Sequence, residues 1–308
     1  MNFQQLRIIR EAVQRNFNLT EVAAALFTSQ SGVSKHIKDL EDELGVELFQ
    51  RRGKRLLSLT EPGKELAVIV ERMLLDAKNI KRLAEQFSGA EQGRLTIATT
   101  HTQARYALPQ VVARFKAAFP KVHLVLHQGS PAEIVALLQS GEADIGIATE
   151  ALQEVEQFLT FPFYDWHHAV VVPEGHALAR EPLSLEALAE HALITYHEGY
   201  TGRARIDAAF AAAGLSPDIV MSALDADVIK TYVQVGLGVG IIAAMAFEPQ
   251  RDSGLQRLDA SHLFRANTTR IALRRGHYLR GFAYRFLQEC VGELSEERVR
   301  QALEGGAA

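Results

Sequence analysis

The sequence predicts an α/β protein in three parts: an amino-terminal winged helix-turn-helix, a long linker helix and a carboxy-terminal region of two α/β lobes. Three observations carry this prediction. Up to Arg55 the chain is helical, and its cations gather at Arg51, Arg52, Lys54 and Arg55. From Pro62 to Phe87 one helical pattern runs without a break. Beyond Gly93 short apolar runs alternate with helical stretches, the order of a parallel α/β domain.

Bulk properties narrow the classes. A chain of 308 residues with 47% hydrophobic content has room for two or more domains. No apolar run approaches the roughly 20 residues needed to cross a bilayer, and the start MNFQQLRIIREAV is amphipathic rather than a secretory signal. One cysteine, Cys290, excludes an intrachain disulfide and fits a reducing cytoplasm. The net charge of -4 argues against a generally basic nucleic-acid binder, whereas Arg7, Arg10, Arg15, Lys35, Lys38 and the cluster ending at Arg55 make the first segment a local footprint for phosphates.

Within that segment Phe3, Leu6, Ile9, Val13 and Phe17 mark a first helix. Asn18-Leu19-Thr20-Glu21 reads as the cap of a short second helix through Val22, Ala23 and Leu26. Thr28 or Ser29 caps a third, with the apolar stripe Val33, Ile37, Leu40 and Leu44 and a stop at Gly45. The other face of this third helix carries Gln30, Ser31, Ser34, Lys35 and Lys38, residue types suited to base edges and phosphates. Val46 to Phe49 and Leu56 to Leu59 flank the cations as a hairpin, a wing that would lie against the phosphate backbone. The expected DNA-contacting set is Thr28, Ser29, Gln30, Ser31, Ser34, Lys35, Lys38, Arg51, Arg52, Lys54 and Arg55.

These residues carry a resemblance. Ala23-Ala24-Ala25-Leu26, Thr28-Ser29-Gln30-Ser31-Gly32-Val33-Ser34, Leu40-Glu41, Leu44-Gly45, Leu48-Phe49 and Leu59-Thr60-Glu61-Pro62-Gly63 resemble the winged helix-turn-helix of the LysR-type transcriptional regulators. Many members have Pro where this chain has Ser31.

The long helix follows, with Leu66, Ile69, Met73, Ile80, Leu83 and Phe87 on one stripe interrupted by Asp76. Such a stripe needs a partner, and pairing with a second copy of the chain is expected. Ser88 to Gly93 reads as a hinge. The expected divisions are 1–62 for DNA binding, 63–88 for linker and dimerisation, and 89–308 for effector binding. In the last of these, one lobe covers about 93–162 and 266–293, and the other about 163–265.

The stretch Gly93 to Pro109 joins the two kinds of sequence. Leu95, Ile97 and Ala98 form a buried-strand run, Thr99, Thr100 and Thr102 follow, and a helix expected over Gln103 to Phe119 begins. Two roles are open to these hydroxyls: capping the helix, or holding a small anion beside its unpartnered N–H groups. Further strands are expected at Val122 to His127, Asp144 to Ala148, His168 to Val172, Leu193 to Tyr196, Ile219 to Ala223, Val239 to Ile242 and Arg270 to Leu273. Two such lobes would place a ligand cleft between them. No nucleophile, acid pair or metal-ligand spacing accompanies His101, so neither an enzyme nor a resident cofactor or metal is expected. A cytoplasmic small-molecule binding protein would account for the second half alone.

The resemblance extends over this half as well. Thr99 to Pro109, His127 to Pro131, Ala148 to Leu152, Tyr200 to Arg203 and Asp225 to Tyr232 resemble the CysB/Cbl group of LysR-type regulators, concerned with cysteine biosynthesis and sulfur assimilation. The resemblance implies a periplasmic-binding-protein-like (type 2) effector domain. In it Thr100, Thr102 and Gln103 hold an anion, Thr149 and Thr201 complete the pocket, and Ser130 and Trp166 lie nearby. It further implies an acetylserine-type inducer (O-acetylserine or N-acetylserine) or a sulfate- or thiosulfate-type anion as effector, and double-stranded promoter DNA as partner. A dimer through the linker helix, a tetramer and contact with RNA polymerase are implied too, without a membrane. A regulator of sulfonate genes responding to adenylyl sulfate is the alternative within the group.

Overall fold

The computed structural model describes residues 1–53, 55–89, 92–180 and 182–304. They form two compact units, one comprising Met1–Ala84 with Gly276–Tyr278, the other running from Glu85 onward without those three residues.

In the first unit, α1 (Phe3–Gln14) opens on a capping box between Asn2 and Gln5. α2 (Leu19–Ala25) is capped by Asn18, whose Oδ1 accepts from Thr20 N–H at 3.1 Å. α3 (Gln30–Leu44) is capped by Ser29 and ends on Gly45 at φ 71°. β1 (Phe49–Arg52) and β2 (Arg55–Leu59) pair antiparallel. Leu6, Ile9, Val22, Val33, Ile37, Leu40 and Leu56 share one core. Leu44, expected on the buried stripe of α3, is 41% exposed.

α4 runs over Glu61–Ser88. Its start is pressed on the wing: a Cβ at Gly63 would lie 2.1 Å from the Leu48 carbonyl oxygen, so only glycine fits. The expected single stripe divides. Leu66 and Met73 pack with Val70 and Leu74 on the core of their own unit, whereas Ile69, Ile80, Leu83 and Phe87 are exposed, Phe87 at 85%. Two of the hinge residues, Ala90 and Glu91, lie outside the described residues. Around them Arg280 pins the end of the helix, with Nη2 donating to the carbonyls of Glu85, Gly89 and Gln92 at 3.1, 2.8 and 2.6 Å.

The second unit has two five-stranded sheets. β3 (Gly93–Thr99), β4 (Val122–Gln128) and β5 (Ile145–Ala148) run parallel, and β12 (Asn267–Arg274) lies antiparallel between β5 and β6 (Phe158–Trp166), giving the order β4-β3-β5-β12-β6. α5 (Pro109–Ala118) and α10 (Gly281–Cys290) cover one face; α6 (Pro131–Ser140) covers the other. In the second sheet β8 (Leu193–Tyr196), β9 (Ile219–Ala223) and β10 (Val239–Ala243) are parallel, with β7 (His168–Pro173) and β11 (Leu255–Asp259) antiparallel, in the order β11-β7-β10-β8-β9. α7 (Leu185–Ala189) and α8 (Arg203–Ala212) pack on one side, and α9 (Ala226–Gln234) on the other. α11 (Glu296–Glu304) is the last described element.

Two differences from expectation matter for the site. The first sheet extends to Trp166, four residues beyond the expected lobe limit of 162, because β6 pairs with β12 over its whole length. The chain therefore crosses between lobes at His167 and returns between Asp259 and Asn267, and the crossings lie side by side, since Trp166 pairs with Asn267 and Ala169 with Asp259. The helix expected from Gln103 to Phe119 is also two pieces. A π-helical turn spans Gln103–Ala107, closed by Leu108 N–H on the Gln103 carbonyl at 3.0 Å, and α5 starts afresh at Pro109, whose ring has no N–H to continue the ladder.

Candidate functional site

The polar face of α3 is presented as expected. Thr28, Ser29, Gln30, Ser31, Lys35 and Lys38 are exposed and Ser34 is half-buried, while Arg52 and Arg55 are exposed on the wing. Lys54 lies outside the described residues. Arg51 has a second engagement: Nη2 donates to Oε2 of Glu41, whose Oε1 accepts the N–H groups of Leu48 at 2.8 Å and Phe49 at 3.2 Å. Glu41 is 9% exposed, so this clip fixes the wing to α3 and half commits Arg51 to structure. Phe27, in the turn before α3, is 98% exposed and held at φ 51°.

The expected effector residues converge on the carboxyl ends of the first sheet's strands, where open α/β sheets bind ligands. Thr100, Thr102 and Gln103 follow β3 and are buried at 4%, 1% and 1% exposure. Thr102 makes no side-chain cap, and its Oγ1 is buried without a hydrogen-bond partner among the described residues. Gln103 Oε1 accepts from the Tyr164 hydroxyl. Burial pushes that hydroxyl up to about 12, so it remains a donor. Thr269 on β12 gathers the next wall, with its Oγ1 3.1 Å from Trp166 Nε1 and 3.4 Å from Thr149 Oγ1. Trp166 is thus tied to a neighbour rather than free to point at a ligand, and its ring meets His168 edge-on at 5.0 Å. Ser130 caps α6, its hydroxyl accepting Glu133 N–H at 3.1 Å.

Thr201, from the second lobe, is 3% exposed and strained at φ 42°, and Gly202 follows at φ 72°. A Cβ on Gly202 would sit 2.6 to 2.8 Å from Asn267 and His168 atoms. His168 supports the turn by donating from Nε2 to the Thr201 carbonyl at 3.2 Å, which fixes its tautomer; burial pulls its pKa down to about 4, so it stays neutral. Consecutive N–H groups in such a turn form a concavity for an anion. Here the Glu150 carboxylate faces it, with Oε1 accepting Gly202 N–H and Oε2 buried without a partner among the described residues. Burial pushes Glu150 up to about 7, against the pull of the Gly202, Glu150 and Thr201 amides.

The lip of the cleft is bridged. Asp227, in the first turn of α9, accepts Arg105 Nε at 2.7 Å and the Tyr106 hydroxyl at 2.8 Å, with His101 Nε2 at 3.4 Å. Burial opposes its ionisation, but Tyr106, His101, Lys230 and Arg105 together hold its carboxyl below the ordinary value. His101 thus stands at the rim and joins the lobes. Tyr164, Thr269, Glu150, His168 and Asp227 were not among the expected site residues. Glu150 and Asp227 nevertheless lie in the sequence blocks that pointed to the group.

A helix-turn-helix unit followed by a two-lobed cleft domain defines a ligand-responsive DNA-binding regulator. Residues 3–64 match the family described as bacterial regulatory helix-turn-helix protein, lysR family, and residues 88–295 match LysR substrate binding domain. The chain belongs to the LysR family of transcriptional regulators, a family of DNA-binding proteins and not of enzymes. It is 59% identical over 300 residues to HTH-type transcriptional regulator SsuR of Burkholderia cenocepacia, covering 97% of each chain. It is 57% identical over 306 residues to HTH-type transcriptional regulator cbl of Escherichia coli, covering 99% of this chain and 97% of that one. The crystal structure of the cofactor-binding domain of the Cbl transcriptional regulator superposes with a TM-score of 0.67 at 53% identity, over 69% of this chain and 94% of that domain.

Proposed function

We propose that the chain is a cytoplasmic regulator of cysteine biosynthesis and sulfur assimilation genes, controlled by an acetylserine-type inducer or a sulfate-like anion held between its lobes. One observation carries the effector half of this reading: the Thr102 hydroxyl is buried without a partner among the described residues at the head of the π-helical turn, beside buried Thr100 and Gln103. Neutral donors there, with Thr149 on the same lobe and Thr201 from the other, hold an anion without a paired buried cation. The exposed face of α3 enters the major groove of promoter DNA, and Arg52, Lys54 and Arg55 lie along the phosphates, with Arg51 shared between phosphate and Glu41. The chain acts as a dimer through the exposed stripe of α4 and as a tetramer on the promoter, where it contacts RNA polymerase. Effector binding favours one arrangement of the lobes by no more than its differential affinity for that arrangement.

Calorimetry of the full chain against O-acetylserine, N-acetylserine, sulfate, thiosulfate and adenylyl sulfate tests this reading, paired with duplex binding at two salt concentrations. At least one of these ligands binds, Thr102→Val loses it, and duplex affinity falls steeply with salt. No heat from any of the five, or salt-insensitive duplex binding, sinks the reading. Adenylyl sulfate as sole ligand favours the control of sulfonate genes.

A further inference from the structure

Glu150 is the residue that a pocket for anions should not contain. Its carboxylate stands at the end of β5, next to Thr149, and meets the Thr201–Gly202 turn of the other lobe. That turn is built at a cost: Thr201 is strained at φ 42°, Gly202 admits no side chain, and buried His168 braces the Thr201 carbonyl. The N–H groups so presented are matched to negative charge, and Glu150 supplies one. Only Oε1 is satisfied. Oε2 is buried and has no partner among the described residues, which leaves an acceptor looking for a donor.

We propose that Glu150 is a specificity determinant of the effector cleft: its carboxylate competes with bare dianions for the Thr201–Gly202 amides and favours effectors that bring an ammonium or other donor to Oε2. The inference rests on the reading of the cleft as the effector site. A bare sulfate places two charges against a buried carboxylate in a poorly screened site, whereas a zwitterionic amino-acid derivative offers its own cation to the same oxygen. Burial holds Glu150 up to about 7, so at pH 8 the competing charge is present.

Calorimetry of the full chain at pH 8 with sodium sulfate and O-acetylserine as probes tests this, on the unaltered protein, Glu150→Gln and Thr102→Val. The glutamine keeps the acceptor for Gly202 N–H and removes the charge. Sulfate affinity rises at least about tenfold relative to O-acetylserine in Glu150→Gln, one decade in Kd. Glu150→Ala, which removes the group altogether, shifts the ratio in the same direction and serves if the glutamine variant does not fold. An unchanged ratio, with both ligands lost in Thr102→Val, leaves the site reading standing and overturns the role of Glu150. Retention of both ligands by Thr102→Val, or no heat from either probe in any variant, overturns both.

Discussion

The Nε2–H of His168 bonds the carbonyl oxygen of Thr201 at 3.2 Å, and through it a fully buried imidazole holds a strained turn in place. Protonation of that ring is opposed by burial, which pulls its pKa from 6.5 to about 4. A depressed folded-state pKa means stability that is present above pH 6.5 and is lost as pH falls through about 4. The contribution is about 3 kcal/mol at most. Thermal melts of the full chain at pH 7 and pH 4 should show a loss for the effector-domain transition that is smaller in His168→Gln. An equal loss in the two proteins would remove His168 as its source.

Asp227 closes the lip of the cleft from the second lobe onto Arg105, Tyr106 and His101 of the first. Arg105 and His101, the charged partners across the lip, are about one-third exposed, as is Asp227 itself, so these cross-lobe ion pairs contribute no more than about 1 kcal/mol together. Asp227→Asn should therefore leave the melting temperature nearly unchanged while raising hydrogen exchange in residues 101–107 by roughly 2- to 5-fold, in line with that energy. Exchange unchanged across that segment would show that packing, not Asp227, holds the lip.

The cations of the first unit divide into two kinds. Lys35→Ala and Lys38→Ala remove exposed charges and should each reduce the salt slope of duplex binding by about one, with the fold intact. Arg51→Ala leaves Glu41, 9% exposed, short of its cation, so it should also destabilise the first unit by about 1–3 kcal/mol. Denaturant melts separate the two kinds; an Arg51→Ala protein as stable as the parent would mean that the clip to Glu41 carries no stability.

Ile80 and Phe87 are 68% and 85% exposed on α4. A charge placed on such a face should disrupt pairing between copies. Sedimentation equilibrium at micromolar concentration should show a dimer or larger for the parent and a monomer for the double variant Ile80→Glu, Phe87→Glu. A parent that sediments as a monomer would refute pairing through α4.

Much of the fold was legible because its strongest signals are local. Leu193 to Tyr196 and Ile219 to Ala223 are apolar runs between turn residues, and both strands occupy those residues. β6 was not, since Pro162 interrupts it and Asp165 breaks its pattern. Proline is tolerated there because β6 is a sheet edge with an irregular register beside Thr269. β11, with Gln256 and Arg257, is likewise a polar edge strand. The break at Pro109 was readable from the proline, but the helical spacing on either side concealed it. In the cleft, Thr102 and Gln103 stood out as donors at a strand end. Glu150 did not, because reasoning from anion to donor passes over a carboxylate; only the left-handed turn of Thr201 and Gly202, just over fifty residues on, brings amides to it.

The paired crossings at His167 and between Asp259 and Asn267 restrict what the effector cleft can communicate. Bodies tied by one tether can swivel freely, but two tethers lying side by side resist twisting and leave a bend across both as the soft motion. Ligand chemistry is thereby reduced to a single angle. Effectors of quite different composition that prop the lobes equally far apart become one message, and a molecule that fills the cleft without changing that angle says nothing.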